Sequence, residues 1–170
     1  MPSNDSDRAP ATLITGASRG IGAAIARLLA ASGHDLALTY RERRSEAEAV
    51  ADACRALGVT VALIEADFAD LDRTAEVVPE VVAALGRITG LVNNAGISAQ
   101  ALFSDVTAQD LHWYEHLMKV NLWGSVWCTH AALPHLKASK GSVVAVSSIV
   151  GLVGVPGRTA YAATKFAMTG

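Results

Sequence analysis

The sequence predicts an α/β fold, a doubly wound parallel sheet with strand order 3-2-1-4-5. Three observations predict it. Short apolar runs alternate with segments of helical periodicity along the chain. A glycine turn, Thr12–Gly22 (TLITGASRGIG), joins the first apolar run to the first helical segment. The composition, 51% hydrophobic against 18% charged residues, suits strands buried on both faces. Such alternation calls for right-handed crossovers, with the ligand at the carboxyl ends of strands 1 and 4, where the winding reverses.

Met1–Pro10 is polar and reads as a disordered tail. Residues 11–170 read as one domain, without repeat or linker. Thr12–Ile14 is the first strand. Ile21, Ile25, Leu28 and Leu29 set the apolar face of the first helix, which stops at Gly33. Asp35–Tyr40 is the second strand. Ser45 and Glu48 form a capping box for a helix running to about Leu57. Val59–Glu65 is the third strand. Asp70–Leu85 is helical but contains Pro79, so it kinks or divides there. Ile88–Val92 is the fourth strand and leads into Asn93-Asn94-Ala95-Gly96. Thr107 and Asp110 start a helix to about Met118, and a longer helical segment with Asn121 near its beginning runs towards Leu136. Ser142–Ser147 is the fifth strand. After a loop, Gly151–Arg158, a last helix starts near Thr159 and still runs at Gly170.

The glycine turn is a candidate nucleotide site. Without a Cβ the backbone of Gly16, Gly20 and Gly22 can approach a pyrophosphate closely. The helix that follows offers unpaired N–H groups and partial positive charge to the same anion. Ser18, Arg19 and Ile21 fill the turn. The end of the second strand is where an adenosine ribose is read: an acid there favours NAD, an arginine accommodates a 2′-phosphate. Here the strand ends in Tyr40-Arg41, and Arg19 can flank the same phosphate. The expected cofactor is NADP(H) in preference to NAD(H). Asp67, after the third strand, is a candidate acceptor for the adenine amino group, with a plain turn role as the alternative.

Tyr161 and Lys165 stand at i and i+4 on one helix face. A nearby ammonium stabilises a phenolate, so the pair can serve as general acid and base for a carbonyl/alcohol couple. The hydroxyl of Ser148 can hydrogen-bond a substrate oxygen as charge develops on it.

Thr15-Gly16-x3-Gly20-x-Gly22, Asn93-Asn94-Ala95-Gly96, Asn121, Ser148, Tyr161 and Lys165 occur in order, with thirteen residues from Ser148 to Tyr161. Together they resemble the short-chain dehydrogenase/reductase family over essentially the whole chain after the tail. The resemblance implies a Rossmann-like fold and a nicotinamide-dependent oxidoreductase that interconverts a carbonyl and a secondary alcohol. By the same resemblance Tyr161 is the proton donor in reduction. Lys165 binds the nicotinamide ribose and tunes Tyr161, Ser148 orients the carbonyl, and Asn121 holds a relay water. Asn93, Ala95 and Gly96 line the cofactor pocket, Asn93 being partly structural. Family members continue beyond the position of Gly170, so the last strands are expected to be lacking here and the fifth strand to be a bare apolar edge. The alternative reading is a catalytically silent nucleotide-binding fragment. Family members are commonly homo-oligomers.

Other signals carry less. A net charge of −2 without a basic cluster argues against nucleic acid. No apolar run reaches membrane length and no signal-peptide core is visible, so the expected compartment is the cytoplasm and no membrane partner is expected. Cys54 and Cys128 read as reduced core residues. His112-Trp-Tyr-Glu115-His116 matches an inverted zinc-protease pattern, but no third ligand is apparent and no metal is expected. Ser98–Phe103 and Leu152–Arg158 give a mixed apolar pocket edge for a small-molecule carbonyl or alcohol substrate, with Arg158 read mainly as a surface residue.

Overall fold

The computed structural model describes residues 8–170. Five parallel strands lie in the order β3-β2-β1-β4-β5: β1 (Ala11–Ile14), β2 (Asp35–Tyr40), β3 (Val61–Glu65), β4 (Gly90–Asn93) and β5 (Ser142–Ala145). The helices are α1 (Gly20–Ala31), α2 (Arg44–Arg55), α3 (Leu71–Leu85), α4 (Leu111–Met118), α5 (Gly124–Ser139) and α6 (Thr159–Thr169).

The core is two layers on either side of the sheet, and strand alternation assigns residues to them. Leu13, Ala37 and Leu91 are in register across β1, β2 and β4. They face Val77, Val81 and Leu85 of α3 and Cys128, Ala132 and Leu136 of α5. Their neighbours Ile14, Leu36, Leu38 and Val92 face Ala23 and Ala26 of α1 and Val50 and Cys54 of α2. Because β1 is buried at every position, it reads as a continuous apolar run. β5 is the open edge of the sheet and all four of its residues are exposed.

Several elements differ from the sequence expectation. The capping box of Ser45 and Glu48 does not form. The helix α2 begins two residues earlier, with Arg43 as its N-cap in place of Ser45 and no side-chain cap bond. Pro79 does not divide α3: Thr74, Val77, Val78, Val81 and Leu85 bury one stripe on both sides of it. Packing of that stripe holds the helix across the missing N–H. Asp70 caps its start by accepting from the Arg73 N–H at 3.1 Å. The helices on either side of Asn121 are not separate. A wide π-type turn, Lys119–Trp123, joins α4 to α5, with helical dihedrals at Met118, Lys119, Trp123 and Gly124. Thr107 and Asp110 do form a capping box, closing a short 3₁₀ turn before α4.

Most of the Met1–Pro10 tail lies outside the described residues. At its end, the Ala9 carbonyl accepts from Arg87, and the Pro10 carbonyl accepts from the Asp35 N–H at 2.8 Å. No helix of the described residues is long and apolar enough to cross a membrane.

Candidate active site

The turn after β1 is fixed from two sides. The Thr15 hydroxyl accepts from the Asn94 and Ala95 N–H groups, both at 2.9 Å. The Asn94 amide donates to the Thr15 and Gly16 carbonyls at 2.8 and 2.9 Å. On the other side, the Gly16 N–H donates to the Thr39 hydroxyl at 3.0 Å. Gly16 has φ +67°, and a Cβ there would lie 2.8 Å from the Ala95 Cα. At Gly22 a Cβ would lie 2.5 Å from the Gly16 carbonyl oxygen. Gly22 thus lets α1 close onto the turn and does not itself line the cleft. Gly20, at φ +57°, opens α1. The N-cap Arg19 makes no side-chain cap bond and the first turn holds no acid. The first N–H groups of α1 are therefore left for a ligand.

That N-terminus borders a cleft of about 350 Å³ at the carboxyl ends of β1, β2 and β4. Of the residues named from the sequence, Gly16, Ser18, Arg19, Gly20, Ile21, Tyr40, Arg41, Asp67, Ala95 and Gly96 line it. Asn93 does not. It is buried at the end of β4, and its amide donates to the Thr129 hydroxyl of α5 at 2.8 Å. Asn94 takes the lining position instead.

The ribose end is more occupied than the sequence indicates. The Tyr40 phenol is buried and donates to the Glu65 carboxylate at 3.2 Å. Burial, then the Glu65 bond, hold it above the ordinary tyrosine range. Tyr40 thus contributes the end of its strand to the cleft while its hydroxyl is spent elsewhere. Arg41 pairs with Glu42 at 2.8 Å, both exposed. Asp67 takes the turn role as well, accepting from the Ala69 N–H at 2.9 Å. Arg43, not singled out from the sequence, also lines the cleft and pairs with Glu46 at 2.9 Å.

Asn121, Lys165 and Tyr161 lie where the loop after β4, the π-type turn and α6 meet. Asn121 is fully buried. Its amide donates to the Ile97 carbonyl at 2.9 Å and to the Thr164 hydroxyl at 3.0 Å, while its oxygen accepts from the Ile97 N–H at 2.8 Å. Lys165 is buried and donates to the Val146 carbonyl at 2.8 Å, beside the Met168 sulfur at 3.5 Å. Burial lowers its pKa below the ordinary lysine value. Its ammonium stands 5.8 Å from the Tyr161 ring centroid. A Cβ on Gly96 would lie 3.3 Å from the Asn121 oxygen and 3.7 Å from the Lys165 nitrogen. Gly96 therefore connects this group to the cleft.

The two adjacent serines are sorted by their bonds. Ser147 is tied to the end of α6, donating to the Lys165 carbonyl at 3.3 Å and meeting the Thr169 hydroxyl at 3.1 Å. The Ser148 hydroxyl only accepts a long bond, 3.4 Å, from the Val150 N–H, so its proton is left for another acceptor. His112 is bonded to the Gln109 carbonyl at 2.6 Å. Among the described residues no group of three metal-ligating side chains comes together.

The sequence matches the short chain dehydrogenase family over residues 10–170. The chain belongs to that family. It is 39% identical to the 3-oxoacyl-(acyl-carrier-protein) reductase FabG of Staphylococcus aureus, over 93% of this chain and 63% of that protein. A short chain dehydrogenase from Burkholderia cenocepacia, in complex with NADP, superposes with a TM-score of 0.87 at 38% identity, covering 94% of this chain and 64% of that one. A 3-oxoacyl-(acyl-carrier-protein) reductase from Brucella melitensis, in complex with NAD, gives 0.84 at 36% identity, over 95% and 64%. This short-chain dehydrogenase chain thus spans under two thirds of the length of these relatives.

Proposed function

We propose that this chain is the dinucleotide-binding and catalytic part of an NADP(H)-dependent oxidoreductase that interconverts a carbonyl and a secondary alcohol. The observation that carries the reading is buried Lys165 beside the Tyr161 ring, adjoining Gly96 of a cleft rimmed by three arginines. The cleft fits a dinucleotide. Uncapped N–H groups of α1 suit a pyrophosphate, and Arg19, Arg41 and Arg43 suit a further phosphate at the ribose end. A nicotinamide, when bound, supplies or accepts the hydride.

The residues of this chain handle the proton and the oxygen. The Ser148 hydroxyl donates to the substrate oxygen as it gains charge. The Tyr161 phenol gives that oxygen a proton in reduction and removes it in oxidation. Lys165 favours the phenolate electrostatically and, being buried without a carboxylate, has its field little screened. Both N–H donors of the Asn121 amide are used internally, so its offer to a relay water is one remaining acceptor site on its oxygen.

Support for NADP(H) comes from the arginines and from the NADP complex of the Burkholderia relative. The NAD complex of the Brucella relative points the other way. A second reading, nucleotide binding without turnover, is favoured by the cleft lining, which holds the α1 N-terminus and the arginines but not Tyr161, Ser148 or Lys165. Steady-state oxidation of NADPH with a panel of carbonyl compounds separates the two. Turnover that disappears in Tyr161→Phe supports the proposal. Turnover that persists in that variant contradicts the mechanism, and nucleotide binding without any turnover selects the second reading.

A further inference from the structure

Three arginines of the described residues are partly buried: Arg73, Arg87 and Arg158. Partly desolvated cations are ordinarily paired. Arg73 is paired with Glu76 and Glu80, and Arg87 with Asp35. Arg158 has no carboxylate partner among the described residues. It is held by neutral oxygens only, the Ser98 hydroxyl at 2.8 Å and the Ala99 carbonyl at 3.4 Å.

Both bonds use Nη1. The edge of the guanidinium formed by Nε and Nη2 has no partner among the described residues, and that edge matches the two oxygens of an anion. The location is specific. Arg158 caps α6 three residues before Tyr161, and Ser98 follows Gly96 by two. A second bond, from the Ala101 N–H to the Gly157 carbonyl at 3.0 Å, holds the two loops together and keeps the cation in place. Around it the loops expose apolar side chains: Leu102, Phe103, Leu152 and Val153 are each at least half exposed.

We infer that Arg158 is a substrate-reading residue, and that the carbonyl substrate carries an oxyanion, a carboxylate or a phosphate, on an apolar body. The inference rests on the reductase reading above and adds the substrate class to it. Arg158 takes the anion through Nε and Nη2 while Nη1 stays on Ser98. The apolar loop side chains cover the body, and the carbonyl lies towards Tyr161 and Ser148.

The test is calorimetric titration of the 170-residue chain with saturating NADP⁺. The probes are 4-oxononanoate, its methyl ester and 4-oxononyl phosphate, which share one apolar body. The acid or the phosphate binds at least about tenfold tighter than the ester. Whichever of the two binds tighter identifies the anion. Arg158→Gln, which keeps a donor for Ser98 without the charge, abolishes the preference and leaves NADP⁺ affinity unchanged. Arg158→Lys keeps part of it. Equal binding of all three probes, no binding of any, or a preference that survives in Arg158→Gln overturns the inference. NADP⁺ titration alone separates the levels. If NADP⁺ fails to bind, the reductase reading falls and this inference with it. If it binds and the probes do not differ, only this inference falls.

Discussion

The Asn121 amide donates to the Thr164 hydroxyl at 3.0 Å, joining the π-type turn to the face of α6 between Tyr161 and Lys165. The same side chain closes two bonds onto the Ile97 backbone. One buried carboxamide thus sets the distance between the loop after β4 and the helix that carries the proposed acid. Asn121→Ala leaves the Ile97 N–H, the Ile97 carbonyl and the Thr164 hydroxyl without that partner. The expected loss is about 2–4 kcal/mol by urea unfolding. Thr164→Val removes one bond and costs about 1 kcal/mol. Equal, small effects would mean that water replaces the carboxamide.

Two glycines of the turn make opposite demands. At Gly22 an added methyl meets the Gly16 carbonyl and the Asn94 amide, at 2.5 and 2.6 Å. Neither can move without breaking the bond that joins β1 to β4. Gly22→Ala is expected to cost about 1–3 kcal/mol and to weaken nucleotide binding. At Gly20 a methyl meets nothing within 4 Å, and only the positive φ is strained. Gly20→Ala is expected to cost about 1 kcal/mol. Thermal unfolding of both variants, with and without NADPH, checks the order.

Lys165 makes stability depend on alkaline pH. Its folded pKa lies below its ordinary value of 10.5, so the unfolded chain binds more protons in the window between the two. Stability therefore rises with pH through that window and is lowest, for this residue, below the folded pKa. Lys165→Met lacks this dependence. Urea titrations at pH 7 and 9.5 should show the wild type gaining on the variant as pH rises. A difference that stays constant or shrinks contradicts the assignment of a desolvated ammonium.

Cys128 has no exposed surface, and burial pushes its thiol up to about 12. Cys54 is also fully buried and shifted upward by burial. Neither supplies a thiolate at neutral pH. A thiol reagent at pH 8 should label neither cysteine in the folded chain and both after unfolding. Rapid labelling of the native chain would contradict the packing of α2 or α5 against the sheet.

The strand order was legible because each strand of the chain is a separate apolar run and each crossover a separate helical period. The place of Gly16 at the cleft and of Lys165 beside Tyr161 was legible from spacing. Asn93 and Asn94 exchanged roles because adjacent residues leaving a strand point to opposite sides, and the sequence does not say which side the cleft takes. The start of α2 was missed because Ser45 and Glu48 satisfy a local rule that the chain does not use. The continuity of α4 into α5 was missed because a π-type turn inserts one residue and shifts the apolar period. Arg158 read as a surface residue because pairing is a tertiary fact: its lack of a carboxylate is visible only beside the pairs of Arg73 and Arg87.

The proposed nicotinamide dinucleotide site has a ribose end that prefers a phosphate. Its most direct test is titration of the chain with NADPH and with NADH, followed by tryptophan fluorescence, in the wild type and in Arg41→Ala. Both nucleotides are expected to bind saturably, NADPH at least about tenfold tighter, with that preference reduced in the variant and NADH affinity unchanged. Binding of neither nucleotide, or equal binding of both that Arg41→Ala does not alter, would contradict it.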